Sequence, residues 1–183
     1  MNKDKTWCIK DKKSVFKIKL FDVIRLDCYL PSKDIHNDFY SISMHNWVNI
    51  FSLTNDNKII FVKQHRIGKN IVTMEVPAGA IDEGEKPLDA AKRELVEETG
   101  YTSDKFILLK EISVNPAIQN NTCYFFLALN CIKSHDTKFD STEELELMLK
   151  EKDEIDNIIN SNLIDNSLAY LAVILARDYL KNM

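Results

Sequence analysis

The sequence predicts an α/β (α+β) chain, with a β-rich appendage over residues 1–54 followed by an α/β body over residues 55–183. Three observations predict it. Apolar side chains alternate through the first third; a proline and a glycine bracket a helix-forming segment between residues 87 and 100; and later strand-like stretches give way to helical ones near the end.

From Ser14 to Leu30 the apolar residues Phe16, Ile18, Leu20, Ile24, Leu26, Cys28 and Leu30 fall on even positions. That is the period of a strand, or of two strands joined by a bend at Asp22. Phe39 to Leu53 continues in the same manner, with a soft boundary across Trp47 to Thr54, and Lys58 to Gln64 follows the polar turn "TNDN". A strand around Thr73 to Val76 runs into Pro77, Ala78 and Gly79, where a tight turn is expected because glycine permits close backbone approach. Pro87 opens, and Gly100 closes, a segment rich in Ala, Leu, Glu, Lys and Arg, the signature of a helix. Lys105 to Val114, Thr122 to Ile132 and Leu145 to Leu149 read as strands. Glu151 to Ile159 and Ser167 to Leu180 read as helices, the second apolar on most faces and expected inside.

The chain of 183 residues carries 28 acidic and 24 basic side chains, a formal charge of -4. That balance argues against nucleic acid or an anionic membrane as partner and favours small-molecule chemistry. No apolar run approaches a bilayer span and "MNKDKTWCIKDKK" has no signal-like stretch, so a cytoplasmic protein is expected. Cys8, Cys28, Cys123 and Cys131 form no CxxC pair and read as reduced, small core residues.

"PAGAIDEGEKPLDAAKRELVEETGY", Pro77 to Tyr101, holds the chemistry. Spacings of three and four place Glu94, Glu97 and Glu98 on one arc of the helix, beside an apolar stripe of Leu88, Ala91 and Leu95. Two carboxylates about 6 Å apart repel by less than about 1 kcal/mol in water, but by about 3 kcal/mol at an effective dielectric of 20. In a cleft they need a cation, and Mg²⁺ or Mn²⁺ suits hard oxygen ligands. Glu85 is the expected partner of Arg93.

Residues 79 to 101 resemble a complete Nudix box: Gly79, Glu85, Arg93, Glu94, Leu95, Glu97, Glu98, Gly100 and Tyr101, with tyrosine where the motif has an aliphatic residue. "FVKQHRIGKN", "MEVPAGAIDEGE" and Pro116 are similar to the ADP-ribose pyrophosphatase branch of nucleoside diphosphate sugar hydrolases. The resemblance implies a Nudix fold, a mixed sheet sandwiched between helices, over residues 55–183. It also implies two or more Mg²⁺ (or Mn²⁺) ions held by Glu94, Glu97, Glu98 and the Ala78 carbonyl, and Arg66 on the substrate's diphosphate. Arg93, Glu97 and Glu98 fall in the catalytic set, and Glu143 or Glu144 matches the glutamate that activates water. Gly79, Glu85 and Gly100 are structural in the motif, and the appendage is implied to exchange strands in a homodimer.

The chain departs from that branch at "NPAIQNN", where Ala117 replaces glycine and Gln119, Asn120 and Asn121 stand where an acid is expected. Asn121 is therefore a candidate substrate contact with donor and acceptor capacity but no charge. Trp47 is a candidate to stack on a base. The expected reaction is hydrolysis of a nucleotide sugar, ADP-ribose first, with GDP-mannose, another nucleotide sugar or a dinucleotide polyphosphate as alternatives. A non-catalytic nucleotide-sugar sensor is the rival from another class.

Overall fold

The computed structural model describes residues 5–138 and 144–182, and the chain divides into two compact units, Met1–Asn46 with Ser113–Thr122 and Trp47–Ile112 with Cys123–Met183. In the first unit β1 (Cys8–Lys17), β2 (Asp22–Leu30) and β3 (Ile35–Ser43) form an antiparallel sheet in that order. The expected bend at Asp22 is a full reversal just ahead of it, and β1 begins at Cys8, where lysines hide the alternation. Residues 113–122 join this unit through Ile42 N–H to the Ile118 carbonyl (2.7 Å) and Asn120 N–H to the Ile42 carbonyl (3.2 Å).

The second unit is built on a mixed sheet of β4 (Trp47–Thr54), β5 (Lys58–Arg66), β6 (Ile71–Glu75), β7 (Ala78–Ala80), β8 (Tyr101–Thr102), β9 (Lys105–Ser113), β10 (Thr122–Lys133) and β11 (Leu145–Glu151). Its central path runs β11-β5-β4-β10-β8, with β6 on β5, β7 on β4 and β9 on β10. Strands β4 and β10 are parallel, and "VNIFSLT" and "CYFFLALN" are near-continuous apolar runs because such strands are covered on both faces. The single stretch expected over Phe39 to Leu53 is therefore two strands, β3 and β4, one in each unit. Cys28, Cys123 and Cys131 are buried free thiols, and burial pushes Cys123 and Cys131 up to about 12.

Three α-helices are described: α1 (Pro87–Thr99), α2 (Ile155–Asn160) and α3 (Ser167–Lys181). The turn before α2, Lys152–Glu154, is a 3-10 helix, closed by a capping box between Glu151 and Glu154. Helix α3 is buried along Ala169, Ala172, Val173 and Ala176 only, a narrower face than its composition suggests, because small residues let it lie close on β4. No helix among the described residues is long and apolar enough to cross a membrane.

Helix α1 carries the candidate carboxylates, and its seating matters most. Pro87 occupies its first turn, where a missing N–H costs nothing. Ala90, Ala91 and Leu95 pack into a core with Val48, Ile50, Ile60, Ile81, Phe126 and Ala128. Leu88, expected in that stripe, keeps 39% of its exposure, and Ala90 is buried beside Ala91 and Leu95 instead. Leu95 is fully buried, so truncating it to alanine would cost about 2–5 kcal/mol.

Gly100 ends α1 at φ 73° with its N–H on the Val96 carbonyl (2.8 Å), and its own carbonyl accepts from Ser134 N–H (3.0 Å) and His135 N–H (3.1 Å). A Cβ there would overlap the His135 carbonyl oxygen. Gly100→Ala is expected to destabilise the fold by more than about 1 kcal/mol, from a strained φ and the overlap together. Urea unfolding followed by circular dichroism measures it.

Candidate functional site

Where a tight turn is expected from Pro77 to Gly79, the chain bends at Pro77 and Ala78–Ala80 then form the short strand β7, paired antiparallel with β4 through Trp47 opposite Ala80, Val48 opposite Gly79 and Asn49 opposite Ala78. Pairing holds this segment flat beneath the C-terminal half of α1. Gly79 is required there for space rather than backbone freedom: a Cβ would fall inside the Glu94 carboxylate. Ala78 N–H donates to Glu98 Oε2 (3.0 Å), so strand and helix are stitched at Glu98.

Arg93 organises the rest. Its Nε and Nη2 donate to Glu85 Oε1 and Oε2 (2.9 Å each), its Nη1 to Glu94 Oε1 (2.7 Å) and Glu97 Oε2 (3.1 Å), and its Nη2 also to the Ala80 carbonyl (3.0 Å). Glu85 accepts a further bond from Asp82 N–H (3.0 Å), which closes the loop before the helix. The expected Arg93–Glu85 pair is present. The same guanidinium also reaches Glu94 and Glu97, so part of the positive charge beside these carboxylates comes from within the chain. The Glu85 hydrogen bonds are the largest cause of the Arg93 guanidinium holding its proton more firmly than usual, and Arg93 in turn holds the Glu85 carboxyl below its ordinary range.

The carboxylates are badly placed for helix stability. Glu97 and Glu98 stand in the last turns of α1, which contain no basic residue in the final turn. The negative end of the helix dipole disfavours each by about 0.3–1 kcal/mol. Glu98 is also buried, at 7 % exposure. An arrangement that opposes both dipole and solvation suits a bound cation, and its oxygens are the donor type that Mg²⁺ or Mn²⁺ takes. Among the described residues no three His, Cys, Asp or Glu side chains already converge as a metal cluster. Glu94 and Glu97 are turned to Arg93, and Glu98 to the Ala78 amide.

The remaining candidates lie apart from α1. Arg66 Nε and Nη2 fork onto Glu75 Oε1 and Oε2 (2.7 Å each). Trp47 starts β4, half-buried, and Glu144 is exposed just before β11. Glu143 lies outside the described residues. Asn121 belongs to the first unit and is buried: its Nδ2 donates to the His45 carbonyl (3.2 Å), while its Oδ1 has no hydrogen-bond partner among the described residues. Asn120 accepts from Met44 N–H (3.3 Å) and donates to Ser43 Oγ (3.0 Å), so these amides fasten residues 43–45. Sequence reasoning missed Glu75 and the Ala80 carbonyl. The available signal for Glu75 was a lone carboxylate in "IVTMEV", which at strand period cannot avoid burial.

Comparison with known proteins gives a consistent picture. A family model described as the NUDIX domain matches residues 44–159. The chain is 29% identical over 143 residues to an ADP-ribose pyrophosphatase of Bacillus subtilis (strain 168), covering 75% of this chain and 77% of that one. It is 33% identical over 129 residues to a methanol dehydrogenase activator of Bacillus methanolicus, covering 69% of each. A crystal structure of an ADP compounds hydrolase superposes with a TM-score of 0.85 at 21% identity, over 97% of this chain and 95% of the other.

Because the Glu85 carboxyl is held below its ordinary range in the folded state, its contribution to stability is complete above the unfolded value of about 4.3 and is lost as pH falls through the depressed one. Glu85→Gln is expected to cost about 1.5–3 kcal/mol at pH 7, the range for a hydrogen bond to a charged group. The gap to the unsubstituted chain should close as pH drops below the ordinary carboxylate range. Denaturant unfolding of both chains from pH 7 to pH 3 measures this, and a gap that stays constant would show that Arg93 does not discriminate the charge of Glu85.

Proposed function

The chain belongs to the NUDIX family as a hydrolase related to the ADP-ribose and ADP-compound pyrophosphatases, and from that premise we propose that it hydrolyses the pyrophosphate bond of a nucleoside diphosphate sugar in a Mg²⁺-dependent reaction. ADP-ribose is the first substrate, giving AMP and ribose 5-phosphate. The observation that carries the reading is the placement of Glu94, Glu97 and Glu98 along one side of α1 beside the β7 segment, with Glu98 buried and accepting from the Ala78 amide.

Glu94, Glu97, Glu98 and the Ala78 carbonyl would hold the ions. Bound there, divalent metal supplies Lewis acidity toward phosphorus and lowers the pKa of water. The chain's own part is orientation and charge. Arg93 keeps Glu94 and Glu97 in register and leaves Glu98 to the strand side. Arg66 meets the diphosphate and offsets charge developing on the bridging oxygen. Glu143 or Glu144 takes the proton of the attacking water. The small substrate fits a net charge of -4 that gives no broad basic field for nucleic acid. We place the protein in the cytoplasm as a homodimer with exchanged N-terminal strands, within the division of residues 1–54 and 55–183; light scattering that returns a monomer would remove the exchange.

A second reading, a nucleotide-sugar sensor that regulates a partner, draws support from the likeness to a protein named an activator. A panel of ADP-ribose, GDP-mannose, other nucleotide sugars and dinucleotide polyphosphates, incubated with Mg²⁺ and assayed for phosphate after phosphatase treatment, separates the two. Turnover of at least one member, abolished by a chelator and restored by Mg²⁺, is expected; an inert chain would favour the sensor.

Glu98→Gln should keep the fold and lower kcat by at least about 100-fold, the scale for loss of a group that positions the reaction. Gly79→Ala should keep the fold as well and lower kcat by at least about 10-fold, because the added methyl displaces the Glu94 carboxylate. Wild-type turnover in either variant, read beside its circular dichroism, would refute the assignment of these carboxylates.

A further inference from the structure

Glu75 closes β6 three residues before Ala78 and is only 2 % exposed. A carboxylate at that depth must be matched by charge and by hydrogen bonds. Arg66 meets it with the forked Nε and Nη2 edge, and Asn166 Nδ2 donates to the same Oε2 (2.7 Å). The opposite end of Asn166 is equally engaged: its Oδ1 accepts from Leu168 N–H (2.9 Å) and Ala169 N–H (3.2 Å) and so caps α3. Next to it, Asp165 N–H donates to the buried Thr73 Oγ1 (3.2 Å). The start of α3 is thus sewn to β6 at residues 73 and 75.

The asymmetry of the pair is informative. Glu75 is buried, whereas the Arg66 side chain keeps 45% of its exposure. A fork of two bonds fixes the plane of a guanidinium, which one bond or a lysine would not do. A simple surface ion pair would gain nothing from placing its acid inside the protein and tying that acid to a helix cap.

We infer that Glu75 is a positioning residue: by holding the Nε–Nη2 edge of Arg66 and the amide of Asn166, it fixes the direction in which Arg66 presents its charge to substrate and links that direction to the seating of α3. This rests on the reading that Arg66 meets the diphosphate.

The test is a double-mutant cycle in kcat/KM, measured on the panel member that the unsubstituted chain cleaves fastest, with Glu75→Gln, Arg66→Lys and the two combined. Each single variant is expected to lose about 10-fold or more, and the double no more than the worse single, because both remove the same oriented guanidinium. Glu75→Asp should recover part of the loss. Asn166→Ser keeps an acceptor for the cap but drops the amide, and about a 3-fold loss is expected from it. Thermal unfolding is followed for every variant; should Glu75→Gln fail to fold, Glu75→Asp carries the same cycle.

Losses that multiply in the double variant, or that track unfolding temperature alone, would reduce Glu75 to a structural residue and overturn the inference. Arg66→Lys impaired beside Glu75→Gln at full activity overturns the inference and leaves the Arg66 reading standing. Arg66→Lys at full activity overturns the Arg66 reading and the inference with it. An Asn166→Ser variant at full activity overturns the link to α3.

Discussion

Five hydrogen bonds from one guanidinium hold the candidate site together. Arg93 touches Glu85, Glu94, Glu97 and the Ala80 carbonyl, so loop, helix and the short strand β7 share a single cation. Without it Glu85, Glu94 and Glu97 would face one another uncompensated, an arrangement that Coulomb repulsion opposes and, for Glu97 in the last turn of α1, the helix dipole as well. With it the cluster remains net acidic: one positive charge meets Glu85, Glu94 and Glu97, while Glu98 leans on an amide. The residual negative charge is what the proposed divalent ions would offset.

The sheet makes this possible by fixing both sides of the gap. Strand β4 is buried along nearly its whole length, pairs with β7 along one edge, and packs beneath α1 through Val48 and Ile50. A strand so constrained cannot slip by one residue without turning its core side chains to the wrong face. The registry of Gly79 beneath Glu94 therefore follows from hydrophobic packing some distance from any charge. The same β segment runs through Glu75, three residues earlier, and reaches the start of α3. Two charged centres, Arg93 with its carboxylates and Arg66 with Glu75, thus hang from one stretch of backbone between Ile71 and Ala80.

What could be read from the linear chain was whatever sequence-local geometry decides. The strands β5, β10 and β11 and the helices α1 and α3 were legible to within a few residues, since periodicity and end signals operate over a turn or two. The one long stretch from Phe39 to Leu53 was misread because alternation does not announce which sheet a strand joins. Leu88 was misread because a stripe drawn on an ideal helix does not say where the neighbouring strand lies. The triplet "PAG" reads as a tight turn on the strength of its glycine, yet only Pro77 bends, and Ala78 and Gly79 fit a short edge segment once β4 offers partners.

The sequence by itself determined the family and the local make-up of the candidate site: the spacing of Glu94, Glu97 and Glu98 on one helical arc, Pro87 and Gly100 at its ends, and Glu85 within reach of Arg93. These depend on 3.6 residues per turn and on short loops, which the residues carry with them. Tertiary structure alone decided that Glu98 would meet the amide of Ala78, 20 positions away, and that Glu75 would be shared between Arg66 and Asn166, 9 and 91 positions away. A buried carboxylate dictates that it must find partners; which ones it finds depends on how the sheet brings distant strands and helix ends together.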